Sequence, residues 1–146
     1  MLLGDMASAV IAELATVDAA TWNHVPAPDV WSIGKDAEHV IEAGDYHLWI
    51  VRRTTGTTTT AGGRPTIERV RLTTELSRKE ATEVLGQRVD ASAALIRGLS
   101  DAHLDLPTRP PRAGEPTLEQ TIERVLIAHY EVHRKQIASK ARLRGG

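Results

Sequence analysis

Two histidines stand four residues apart near the end of the chain, in His129-Tyr-Glu-Val-His133. On a helix this spacing puts both imidazoles on one side, about 40° apart, where they can converge on one point. A shared divalent metal is one chemistry for such a pair. Two core histidines hydrogen-bonded to other helices or to water are the other. Their neighbours sharpen the choice. At about 100° per residue, Leu118, Ile122, Val125, Leu126, His129, His133 and Gln136 share one arc, while Glu119, Glu123, Arg124, Glu131 and Arg134 lie outside it. Two histidines and a glutamine therefore occupy the stripe expected to face the core, where polar groups need partners.

A third imidazole is available upstream. Glu38, Glu42, Asp45 and Arg53 mark the exposed face of the second helix, and His39 lies off that face beside Ala43, Tyr46 and Ile50. His39 is seven residues in from the start of its helix, and His133 is nine residues from the end of the last one. If the two helices run antiparallel, both lie about 10–14 Å from the same end, so three imidazoles can meet. His47 could take the third place, but its depth matches less well, and it reads as a core histidine. Asp36, one turn before His39, could orient a ligand imidazole, or be an acid favoured by the helix dipole. Arg88 falls among Ala81, Leu85, Ser92 and Leu95, facing the core, to hold an anion or to snorkel outward. Gln136 could tether a ligand or substrate. Tyr46 and Tyr130 read as packing residues, with Tyr46 kept as a candidate for contact with substrate.

These positions need four helices. All seven prolines fall between four proline-free stretches. The first runs from about Leu3 to Trp22, with Leu3, Met6, Val10, Leu14 and Val17 in helical register. The second starts near Ser32, a good N-cap, and ends near Arg53. Ser77-Arg-Lys-Glu80 and Thr117-Leu-Glu-Gln120 are capping boxes opening helices that end near Leu99 and Arg142. Between helices two and three lies a threonine- and glycine-rich piece, Thr54 to Leu76, far longer than a usual bundle connection. A crossover that returns along the second helix, about 33 Å long, explains that length and starts helix three parallel to helix two. A loose insertion, with Val70 and Leu72 on the surface, is the competing explanation. The expected fold is an all-α four-helix bundle, one domain over residues 1–146.

Composition narrows the function. The 146 residues include 18 basic and 19 acidic side chains, a net charge of −1, which gives no basic surplus for a nucleic acid. Cysteine is absent, so thiolate metal sites, disulfides and cysteine nucleophiles are excluded. Three Trp, two Tyr and no Phe imply an aliphatic core, which suits helices. Asp5 and Glu13 interrupt any apolar N-terminal run, so neither a signal peptide nor a membrane span is expected, and the cytoplasm is the expected location. His24 and His103 fall in connections and read as ordinary surface residues. The cations Arg134, Lys135, Lys140, Arg142 and Arg144 suit the end of a helix.

Trp31-Ser-Ile-Gly, with His39 eight residues after the Trp, resembles the helix-two signature of the DinB-like (YfiT-like) metal-binding four-helix bundles. His129-x-x-x-His133-x-x-Gln136 resembles their last-helix motif. The resemblance implies an up-down-down-up bundle and a divalent metal, commonly Zn²⁺ or Ni²⁺, held by His39, His129 and His133. It implies thiol chemistry too: characterised members include S-transferases that activate mycothiol, bacillithiol or glutathione, and a mycothiol-dependent isomerase. The expected partners are then a small-molecule thiol and an electrophilic substrate, without nucleic acid or membrane, and a homodimer stays open. Three neutral imidazoles leave a coordination position for a thiol or for water, whose pKa a metal can bring near 7. A metal-dependent thiol S-transferase is therefore the leading expectation. A hydrolase using metal-bound water and a non-catalytic, metal-stabilised bundle are the alternatives.

Overall fold

The computed structural model describes residues 2–56, 64–112 and 115–145. The central threonine–glycine run, residues 57–63, lies outside the described residues, as do the side chains of Leu3, Val125, Leu126 and Arg144. Helix α1 (Leu2–Ala15) ends earlier than the apolar spacing predicts. Asp18 breaks the run by accepting a hydrogen bond from Thr21 N–H and capping a separate short helix, α2 (Ala19–Trp22). Val17, in the turn between them, still enters the core.

Helix α3 (Ile33–Thr55) begins where Ser32 accepts from Lys35 N–H and ends at Gly56, whose φ of 77° is the left-handed conformation that glycine adopts without penalty. The capping box expected at Ser77 is present and opens α4 (Arg78–Arg97). The proline-rich third connection holds a helical turn, α5 (Asp101–Leu104), and a small antiparallel pair, β1 (Pro107–Arg112) with β2 (Glu115–Thr117). His103 accepts from Ser100 N–H within the α5 cap and is half-buried. Thr117 and Gln120 form the second expected box and open α6 (Leu118–Thr121), which continues through a π-helical turn, Ile122–Ile127, into α7 (Ala128–Gly145).

The architecture is all-α apart from that small pair. Helix α1 packs on α4 and α7, and α3 packs on the same two from the other side. The core between them is aliphatic: Val10, Leu14, Val40, Val51, Leu85, Leu118 and Ile137 are buried, with Tyr130 the large exception. Helices α3 and α7 run antiparallel, since Asp36 meets Lys140, His39 meets His133, and His47 meets His129. Helices α3 and α4 start at one end, where Trp22 Nε1–H donates to Leu76 C=O and a Cβ on Gly34 would lie 2.8 Å from Thr74 Cγ2 and from Trp22 Nε1. No helix among the described residues is long and apolar enough to cross a membrane.

The described part of the connector, residues 64–76, returns along α3. Arg64 reaches Tyr46, Glu68 N–H donates to Glu42, Thr74 donates to Glu38, and Leu72 C=O accepts from Ser32 N–H. This strip of chain corrects the exposed face expected for the helix. Glu38 is buried and Glu42 half-buried beneath the connector, and Lys35, fully buried, bonds both Glu38 and Glu68. Of the expected set only Arg53 is exposed, and Asp45, like Glu42, is half-buried. Of the two readings of Arg88, the outward one is what the structure shows. The residue is exposed and pairs with Asp45 at 2.8 Å, with no place in the core.

Candidate metal centre

Two helices bring the three histidines together. The α3 cap at Ser32 fixes the first turns of that helix, so His39 emerges two turns later toward α7. The last helix brings His129 and His133, after the π-helical turn has changed its phase. A π turn takes up one residue more than an α turn, so everything downstream is displaced by about one residue, or about 100°. Tyr130 and Ile137 consequently take the buried stripe that uninterrupted 3.6-residue spacing assigns to His129 and Gln136. His129 is then half-buried and Gln136 exposed, while His133 stays buried.

The rings of His39 and His133 lie 4.8 Å apart, those of His39 and His129 5.3 Å, and those of His129 and His133 4.3 Å. One nitrogen from each of the three lies within 4.8 Å of the others. His129 Nε2 and His133 Nε2 are 3.0 Å apart, so both cannot carry protons on those atoms. The buried Nδ1 atoms of His39 and His133 have no hydrogen-bond partner. The convergence of three ring nitrogens within 4.8 Å of one another is a donor set that fits a divalent cation.

The electrostatics point the same way. Burial lowers the pKa of His39 to about 4, helped by the charges of His129, Arg69 and Lys35. His133 falls to about 3, again through burial first and then its two neighbouring imidazoles, with Gln136 opposing. Burial and Arg69 lower His129 as well. All three are therefore neutral near pH 7, the protonation state in which imidazole binds a metal.

A cleft of about 470 Å³ opens onto His39 and His133, walled by Trp31, Asp36, Arg69, Gln136 and Lys140. Gln136 is thus at the site, on its solvent side. Asp36 is beside it too, but its carboxylate is held by Lys140 at 2.6 Å and orients no imidazole. Burial raises the Asp36 pKa against the opposing effect of Lys140. Tyr46 is displaced from the cleft, with Arg64 over its ring and Trp49 beside it. Arg88 lies on the surface, as described. His47 packs edge-on against His129 at 5.4 Å, outside the three-nitrogen group. Trp31, 5.1 Å from His39, and Lys140 gain a place at the cleft that sequence reasoning had not given them, and so does Arg69. Trp31 was legible from its spacing to His39, whereas nothing in the sequence marks Arg69.

Two buried imidazoles and one half-buried imidazole, all neutral and convergent in a helical bundle, form a set that could hold a metal ion beside an open cleft. The sequence profile of the DinB superfamily matches residues 3–137, and the chain belongs to that superfamily. No curated protein and no solved structure matches it.

Proposed function

We propose that this protein holds one divalent cation, Zn²⁺ or Ni²⁺, at His39, His129 and His133, and uses it as a thiol S-transferase. The observation that carries the reading is the convergence of three neutral imidazoles, two of which line a ligand-sized cleft. Bound there, a divalent cation would favour the thiolate form of a small thiol. The chain supplies no thiol of its own, so sulfur must come from a second molecule. In the transfer, the thiol releases its proton, sulfur forms a bond to the electrophilic carbon, and the leaving group departs with the bonding electrons. The chain's part is positioning: Trp31 offers an aromatic face beside His39, and Gln136 offers an amide on the solvent side.

The test begins with elemental analysis of protein purified without chelator. About one divalent ion per chain, lost in His39→Ala, is expected, and no bound metal would overturn the reading. Addition of 2-mercaptoethanol to the Co²⁺-loaded protein should then shift its visible bands. Metal without any response to thiol would favour a hydrolase or a structural ion.

A further inference from the structure

Among the described residues, one cation of the cleft has no anionic partner. Lys140 is answered by Asp36, Lys35 behind the wall by Glu38 and Glu68, and Arg71 by Glu68 and Glu75. Arg69 lines the cleft and makes no hydrogen bond or ion pair among the described residues. Its backbone is nevertheless fixed on both sides. Glu68 N–H donates to Glu42, and the Glu68 carboxylate accepts from the N–H groups of Val70 and Arg71 while bonding the buried Lys35. An exposed guanidinium at a concave wall, carried on a backbone held from both sides and unanswered among the described residues, is a binding group for an oxyanion, most favourably a planar carboxylate. Asp29 also lines the cleft and opposes a second negative charge.

We propose that the small molecule entering this cleft carries a single carboxylate, and that Arg69 is the residue that binds it. The inference rests on reading the cleft as the ligand side of the three-histidine centre, and it narrows the thiol or its electrophile to acid-bearing compounds. Co²⁺-loaded parent protein, Arg69→Gln and Arg69→Lys are titrated at low ionic strength with 3-mercaptopropionate and 2-mercaptoethanol. The visible Co²⁺ bands report sulfur at the centre, and tryptophan fluorescence, through Trp31, reports occupancy of the cleft. The parent should bind the acidic thiol about tenfold more tightly than the neutral one, the size of one charge-assisted contact. R69Q should lose that preference with its metal content unchanged, and R69K should retain part of it. Equal affinity in the parent, or a preference that survives in R69Q, overturns the proposal and leaves the metal centre standing. If the protein holds no Co²⁺, the metal reading falls, and propionate titrated against the metal-free protein decides the anion site. Fluorescence-detected binding that R69Q abolishes supports it, and no binding overturns it.

Discussion

Glu38 and His39 are neighbours in sequence and belong to two buried polar clusters that are satisfied in opposite ways. Glu38 faces the connector, where Lys35, Glu68 and Thr74 complete it from within the chain. His39 faces α7, where it meets two more imidazoles, and the Nδ1 atoms of His39 and His133 stay unpartnered. A closed cluster of mixed charge binds chain to chain, and an open cluster of neutral bases asks for something from outside. The difference separates what holds the connector onto α3 from what the protein does.

The comparison breaks most sharply on metal content. His133→Ala should reduce bound divalent ion from about one per chain to near none while leaving the helical circular dichroism intact. Lys35→Met should do the reverse, keeping the metal but destabilising the fold by about 3 kcal/mol in urea unfolding, because the buried Glu38 carboxylate loses its cation. A variant that lost both properties together would show the two clusters to be one unit.

Acid should separate them next. In the metal-free protein the folded chain holds His39 and His133 neutral down to about 4 and about 3, whereas the unfolded chain takes up protons near 6.5. The unfolded state therefore binds more protons between those values, so stability is present above about pH 6.5 and is lost as pH falls toward 4. Glu68 behaves differently. Its bond with Lys35 holds its carboxyl at about 2, so its contribution is intact above about 4.5 and is lost only as pH falls toward 2. Melting temperatures of metal-free protein should accordingly begin to fall below pH 6.5, and Lys35→Met, which removes only the smallest of the contributions lowering His39, should leave most of that first decline in place. The smallest effect belongs to the surface: Arg88→Ala, which breaks the exposed pair with Asp45, should cost under about 1 kcal/mol and leave metal content untouched.

Much of this was legible beforehand for a local reason. Caps are set by residues three apart, so Ser32, Ser77 and Thr117 announced their helices. The three histidines were visible as polar residues on or beside apolar stripes, and depth along two antiparallel helices sufficed to bring them together. Glu38 and Glu42 were misplaced because a helical wheel knows only its own helix. The connector covers one side of α3 and turns an apparently solvated face into an interior one. Gln136 was placed too deep because the wheel assumed 3.6 residues per turn through Ile122–Ile127, where the chain takes up one more.

By itself the sequence determined an all-α chain, an aliphatic core, nitrogen and oxygen as its only strong metal donors, and His39, His129 and His133 as residues able to share a site. Those properties follow from residue type and from spacing within one helix. Only the tertiary structure decided which nitrogens lack partners, that Asp36 is engaged by Lys140, and that Arg69 stands at the cleft with no anionic partner among the described residues. Each of these depends on which residue is brought opposite another by chain distant in sequence, and a one-dimensional pattern does not contain that information.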